Sequence, residues 1–365
     1  MAKSNKSLKV LLTACSGPGA EGIIHALRQH PRLNIYIIGG SVEDSESIGW
    51  ILADDKVVIP YANDPQFIEK ILDICEKKAV DLILPAFSDE SMLLTQNLDR
   101  FTQKGVKILS PQYESTLLVH NKAMMLKRLE ELGADYYPGY NKADTVMELK
   151  EACFRMGYPE RKICVKPAKC NGGSRGFYIL DEDYDRYRVF FQEKAQPVCS
   201  LDELLLKLKG LEEIPQMLIM EYIPGQEYGM DVLAQEGKML ACVARKRLPP
   251  QVAGIDMRIV VEERKELIQL AKKVVRDLNL SSILCMDVRF DEKDEKPYLI
   301  EVNPRQSAYT GISSQYANLL AMAIDIKLGV KVEKADYYSG YSQVVGIRYF
   351  GDFTICDGNT VFLGR

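Results

Sequence analysis

The chain has 365 residues, 47% of them hydrophobic and 27% charged, with a formal net charge of -4. That length exceeds what one hydrophobic core usually organises, so two or three domains are expected, and the ordinary apolar fraction excludes a disordered chain. Acidic and basic residues are interspersed with only a small acidic excess, which argues against a nucleic-acid or membrane-surface partner.

The first third alternates strand and helix. Apolar runs predict strands over 9–14, 34–38, 81–84 and 106–109, and amphipathic spacing predicts helices over 21–29, 65–78 and 89–104. That rhythm specifies a doubly wound parallel sheet. Between the first strand and the first helix lies Gly17-Pro18-Gly19-Ala20-Glu21-Gly22, a formal G-x-G-x-x-G. Such a loop can set backbone N–H groups and a helix amino end against a pyrophosphate, with Glu43 or Asp44 near the position expected for a ribose contact. Pro18 removes one donor, and the pattern equally fits a tight turn or contact with another substrate, so three readings stay open.

Ser110-Pro111 breaks the chain and opens a second region. Helices are predicted over 115–132, containing Lys122 and ending at Gly133, and over 144–156, capped by Asp144 and closed by Gly157. Strands at 163–167, carrying Lys166, and 177–180 flank a turn with Gly172, Gly173 and Ser174 between Lys169 and Arg175. Glycines let backbone approach an anion and the cations neutralise it; a plain polar hairpin loop is the alternative. A capping box at Ser200 and Glu203 starts a helix within a charged, Tyr-rich insertion.

Residues 217–233 read as strand, turn at Pro224-Gly225, and strand. The turn would let the extended segment before it expose backbone N–H and C=O groups at an edge of the kind that recognises adenine, which also needs a carboxylate nearby for ribose hydroxyls. A strand at 239–244 leads to Arg245-Lys246-Arg247, where alternation puts Arg245 and Arg247 on one face, as an anion clamp or a solvated strand end. After a helix at 262–278 comes ILCMDVRFDEKDEKPYLIEVNPR, residues 283–305, two apolar runs joined by a charged turn. In a hairpin of 283–290 and 297–302, Glu301 and Asn303 share a face that Asp287 can join. Three oxygen donors suit Mg²⁺, and Arg305 follows the strand-ending Pro304; an ordinary hairpin with a polar solvent face is the alternative. A helix at 314–328 and a strand at 343–349 follow, and the tail 331–365 has no assigned role. Nine cysteines, an odd number without a Cys-x-x-Cys pair, suit neither a disulfide framework nor a zinc site and point to a reducing cytoplasm. No run approaches the ~20 apolar residues of a membrane span, and the short apolar segment near the amino terminus does not suit a signal peptide.

Lys122, Lys166 with NGGSRG, MEYIPGQEY, and IEVNPR with Asp287 fourteen positions before Glu301 occur in an order that resembles the ATP-grasp superfamily. The resemblance covers about residues 8–330 and is strongest to single-unit proteins similar to half of a carbamoyl-phosphate synthetase large subunit. It implies an α/β and α+β chain: a doubly wound parallel-sheet domain at 1–112, then a two-lobed ATP-grasp fold with a small lobe at 113–222, a large lobe at 223–330, and a tail at 331–365 packing on the core. It implies ATP, with Lys122 and Lys166 on its phosphates under a flap of Gly172, Gly173 and Ser174, an adenine edge at Glu221, Tyr222 and Ile223, and Glu227 at the ribose. Asp287, Glu301 and Asn303 match the ligands of Mg²⁺, or of Mn²⁺ in its place, and Arg305 matches the residue near the transferred phosphoryl group, where Lys166 also acts. Asp287 stands where carbamoyl-phosphate synthetases usually carry Gln, which keeps a ligating oxygen and adds charge. With one grasp unit and no glutaminase segment, the expectation is a cytoplasmic, ADP-forming carboxylate–amine ligase rather than a complete synthetase. Its partners would be small-molecule carboxylates and amines and a second copy of itself, with Arg245, Arg247, Gly17 and Gly19 as candidate substrate contacts. The alternatives are a synthetase-like protein that binds nucleotide without turning it over, and a nicotinamide oxidoreductase built on the loop 17–22.

Overall fold

The computed structural model describes residues 7–42, 47–169, 176–192, 197–252, 255–291, 293, 295–348, 353–356 and 359–362. The chain divides into two compact units: Met1–Leu117, Glu227–Asp287 and Val302–Arg365 form one, and Leu118–Gln226 with Val288–Glu301 form the other.

The first unit begins with the doubly wound sheet. Its strands β1 (Ser7–Leu12), β2 (Asn34–Ser41), β3 (Asp55–Val58), β4 (Leu82–Leu84) and β5 (Lys107–Ile108) are all parallel, in the order β3-β2-β1-β4-β5. β3 was not expected, because DKVV is short and only half-buried, with no apolar run to announce it. The helix expected over 89–104 is two, Ser88–Gln96 and Leu98–Gln103. Asn97 leaves helical geometry between them, and its side-chain amide donates to the Leu93 carbonyl at 3.0 Å. Helix α1 (Ala20–Arg28) turns Ile23, Ile24 and Leu27 into the core. The glycines before and within it allow close backbone approach. A Cβ on Gly19 would lie 2.6 Å from the Cα of Ala308, and one on Gly311 would lie 2.5 Å from the Cα of Gly22.

The second unit holds β6 (Tyr140–Ala143), β7 (Ile163–Pro167), β8 (Tyr178–Leu180), β9 (Val198–Cys199) and β10 (Met217–Glu221), in the order β6-β10-β7-β8-β9. Leu149, Ala152, Cys153, Val165 and Ile219 belong to its core. The helix expected over 115–132 is split into Tyr113–His120 and Lys122–Glu131 by Asn121, whose side chain accepts from the N–H groups of Ala123 and Met124. The following helix is Val146–Arg155, and its cap is Thr145 rather than the expected Asp144. The Thr145 hydroxyl accepts from Glu148 N at 3.2 Å, while the Glu148 carboxylate accepts from Asp144 N at 2.8 Å. Ser200 and Glu203 form the capping box as the sequence predicts. The Gly-rich turn, with Gly172, Gly173 and Ser174, lies outside the described residues.

A six-stranded sheet contains β11 (Glu227–Gln235), β12 (Lys238–Val252), β13 (Ile255–Val261), β14 (Ser282–Phe290), β15 (Pro297–Asn303) and β16 (Val344–Ile347), ordered β15-β14-β11-β12-β13-β16. The division between the units falls after Asp287 in β14 and after Glu301 in β15. β12 runs well past the expected 239–244, because β11 pairs Tyr228 with Lys246 on one side while β13 pairs Val260 with Lys246 on the other. Arg245 and Arg247 therefore sit inside a strand instead of at its end. The helix expected over 314–328 begins late, at Leu319–Lys327, where the Asn318 side chain accepts from Ala321 N; a short helix, Thr310–Ser313, precedes it. Cys15, Cys75, Cys153, Cys164, Cys199, Cys242 and Cys285 are free, and among the described residues no helix is long and apolar enough to cross a membrane.

Candidate active site

In the second unit two buried lysines meet one strand. Asn121 caps the helix that starts at Lys122, and Lys122 N donates to the Ala168 carbonyl at 3.0 Å, which fixes where its side chain begins. Lys122 Nζ then lies 3.3 Å from the Glu301 carboxylate. Lys166, on β7, sends its Nζ to the carbonyl of Ile300 at 3.4 Å. Both lysines are 8% exposed, so both ammonium groups are largely withdrawn from water and held at consecutive residues of β15.

The connector after β10 is pinned from two sides. Glu221 N donates to the Gly139 carbonyl at 2.9 Å, and Glu221 Oε2 accepts from Gly139 N at 3.4 Å. Arg289 donates from Nη1 to the Ile223 carbonyl at 3.2 Å and lies 5.9 Å from the Tyr222 ring centroid. Sequence reasoning missed Arg289. Its signal was available, since it follows Asp287 by two in a strand and so shares that residue's face.

In the first unit Arg247 gathers the carboxylates. Its Nε lies 2.5 Å from Asp256, one Nη lies 3.5 Å from Asp287, and the same nitrogen bonds Glu227. Burial is the largest single influence on this guanidinium and lowers its proton affinity, but Asp287, Glu227 and Asp256 together overcome it and hold its pKa above the usual range. Arg245 is 1% exposed, with Nη2 at 2.7 Å from Asp231 and 3.2 Å from the Ser307 hydroxyl. The pair expected as a substrate clamp is thus committed to internal carboxylates. Their neighbours on β11, β13 and β14 reach them only once the sheet is assembled. Arg305 follows β15, its N donating to the Asn303 carbonyl at 2.8 Å and its Nη1 to the Gln306 carbonyl at 3.0 Å. Gly17 closes a tight turn with its N–H on Ala14 O at 2.9 Å, and Gly19 is taken up by the approach to Ala308.

Residues 213–346 match the family described as ATP-grasp in the biosynthetic pathway with Ter operon, and residues 43–109 match the PylC-like N-terminal domain. The chain carries an ATP-grasp domain. The chain is 25% identical over 295 residues to the carbamoyl phosphate synthase large chain of Thermoanaerobacter sp. (strain X514), a match that covers 76% of this chain and 24% of that one. It therefore spans about a quarter of the length of the curated relatives it matches, 24% in the case just given. Among solved structures, the ADP complex of N5-carboxyaminoimidazole ribonucleotide synthetase superposes with a TM-score of 0.67 at 14% identity, covering 94% of this chain and 81% of that one. The biotin carboxylase domain of Hydrogenobacter thermophilus 2-oxoglutarate carboxylase, with MgADP and bicarbonate, gives 0.63 at 18% identity, covering 90% and 72%. These structural likenesses show the fold, a mixed α/β ATP-grasp architecture with a parallel amino-terminal sheet.

The oxygen donors of the ATP-grasp hairpin suit a hard divalent cation. Glu301 and Asn303 are two apart on β15 and so share a face, and Asp287 lies on the neighbouring β14. Among the described residues no group of three or more His, Cys, Asp or Glu side chains is gathered. Mg²⁺ takes few protein ligands of this type and leaves positions for water and phosphate. The two carboxylates are already beside cations, Glu301 by Lys122 and Asp287 by Arg247.

Proposed function

We propose that the protein is an ATP-dependent, Mg²⁺-dependent ligase that activates a carboxylate for attack by an amine or similar nucleophile. The observation that carries this reading is the convergence of buried Lys122 and Lys166 on residues 300 and 301 of the strand that also bears Asn303. Two desolvated ammonium groups beside an oxygen-donor strand make a setting for a polyphosphate and its metal, and a poor one for a neutral ligand. In the reaction, a carboxylate oxygen of the substrate bonds to the γ-phosphorus as the bond from that phosphorus to the β,γ-bridging oxygen breaks, releasing ADP. The nucleophile's nitrogen then bonds to the acyl carbon, the bond from that carbon to the phosphoryl oxygen breaks, inorganic phosphate leaves, and the nitrogen gives up a proton.

Little covalent work falls to the protein; positioning and charge neutralisation supply the rate. Lys122, Lys166 and Arg305 stabilise charge on the transferring phosphoryl group. Asp287, Glu301 and Asn303 would hold Mg²⁺, which supplies charge neutralisation at phosphate oxygens when bound. Arg289 bonds the connector at Ile223 and lies over Tyr222, the candidate adenine edge, and Glu227 is the candidate for the ribose. The Gly-rich turn with Gly172, Gly173 and Ser174 is proposed as the phosphate flap. Amino acid, peptide, sugar acid and cell-wall precursor are all compatible as the carboxylate. The combined substitution Glu301→Ala with Asn303→Ala is expected to abolish Mg²⁺-dependent phosphate release from ATP across a panel of carboxylate and amine pairs. Turnover at the wild-type rate in that variant would remove the assignment.

A further inference from the structure

The tail beyond the ATP-grasp match delivers one arginine into the first unit. β16 extends the sheet by pairing with β13, Ile347 opposite Arg258, and Arg348 continues the ladder by donating its N–H to Met257 O at 2.8 Å. Its side chain runs to the segment after Arg305, where Nη2 donates to the Ala308 carbonyl at 2.5 Å and the guanidinium lies 4.4 Å from the Tyr309 ring centroid. Two more arginines face the same ring, Arg245 at 5.1 Å and Arg247 at 5.8 Å. The Tyr309 hydroxyl is fixed by Asp256, donating to its carboxylate at 2.9 Å and accepting from its N–H at 3.0 Å.

The three cations differ in one respect. Arg245 has Asp231, and Arg247 has Glu227, Asp256 and Asp287. For Arg348 no carboxylate lies within 4.0 Å among the described residues. Its immediate partners are a carbonyl oxygen and an aromatic face, both neutral. Burial is the first cause that pulls its proton affinity below the ordinary guanidinium range, and Arg245 adds to it against Tyr309, Asp256 and Glu21. A half-buried guanidinium without a carboxylate in contact costs free energy that an anion would recover. Ala308 is also the residue on which Gly19 packs, so the amino end of α1, with its positive partial charge, adjoins the atoms that receive Arg348.

We propose that Arg348 is a substrate-recognition residue, binding an oxyanion group of the substrate, a carboxylate or a phosphate, over Tyr309 and beside the amino end of α1. This rests on the ligase reading and deepens it, because it places an anionic handle on one of the two substrates. Arg348 lies two positions beyond residue 346, where the matched ATP-grasp region ends. The fork of an arginine suits a planar or tetrahedral oxyanion, and an ammonium at the same place would keep charge but lose the paired donors.

The test uses the full chain saturated with Mg²⁺-ADP, titrated with succinate in one series and inorganic phosphate in another, and read by calorimetry and by thermal shift. Wild type is expected to bind at least one probe, with phosphate preferred if the handle is a phosphoryl group and succinate if it is a carboxylate. Arg348→Met is expected to weaken that probe at least tenfold with ADP affinity changed less than twofold, and Arg348→Lys to fall between the two. Should Arg348→Met fail to fold, Arg348→Lys alone decides, since a role confined to bracketing Ala308 predicts lower thermal stability with unchanged probe affinity. Wild-type probe affinity in the folded variants, or absence of probe binding to ADP-loaded wild type, would overturn the inference. Failure of wild type to bind ADP would instead overturn the ligase reading on which it stands.

Discussion

At the scale of single residues, burial assigns work that composition hides. Glu90 is 4% exposed and receives the Thr13 hydroxyl at 2.5 Å. Burial raises its pKa from 4.5 to about 7, against the opposing hydrogen bond from Thr13. The folded chain therefore holds a proton here that the unfolded chain releases, so stability is fully present below about 4.5 and falls as pH rises to about 7. Glu90→Gln keeps an acceptor for Thr13 without ionising. Thermal unfolding of the two proteins at about pH 4 and about pH 8 is expected to show a smaller loss across that interval for the variant. Equal pH slopes would mean the carboxyl is not displaced from its ordinary range. The same scale separates Arg245 from Arg247: similar in sequence and on one face of β12, they serve different carboxylates.

Among elements, the loop from Gly17 to Gly22 is the clearest case of a motif whose glycines have a packing reason. Its pattern allows a nucleotide-binding turn, and what the structure adds is two backbones in close approach, α1 against the segment around Ala308 and Gly311. Gly19→Ala puts a methyl group 2.6 Å from a backbone Cα, which no rotamer change relieves. The expected cost is about 1–3 kcal/mol, read as a lower urea midpoint at unchanged slope. A midpoint equal to wild type would show that α1 can shift freely there. Asn97, Asn121 and Asn318 show a related point about helices. Periodicity runs through all three, yet Asn121 and Asn318 offer their side chains to the following turn as caps, while Asn97 reaches back to Leu93. Long predicted helices become shorter ones, and in one case the new start positions Lys122.

For the whole molecule, nucleotide binding is expected to appear as linked stability. A ligand present at ~100 times its dissociation constant stabilises the folded state by about 2.7 kcal/mol. ADP with Mg²⁺ is therefore expected to raise the melting temperature more than ADP with a chelator, and Glu301→Ala with Asn303→Ala is expected to erase that difference. A chelator-independent shift in wild type would count against the hairpin as the metal site. Much of this architecture was legible in the chain itself. The parallel sheet follows from alternating strand and helix periods. The hairpin carrying Asp287, Glu301, Asn303 and Arg305, the strand carrying Lys166 and the connector at Glu221–Ile223 follow from apolar runs, turn residues and motif order, all of which are local. β3 was not legible, since the four residues DKVV form no apolar run and their hydropathy does not alternate. Nor were the partners of Lys122, Arg247, Arg289 and Arg348, because each pairs with a residue brought close only by the tertiary fold. Sequence alone determined which chemistry is present and in what order, because backbone preference and side-chain period act over a few residues. Tertiary structure decided which charge answers which, because burial and counter-charge depend on neighbours that no local pattern contains.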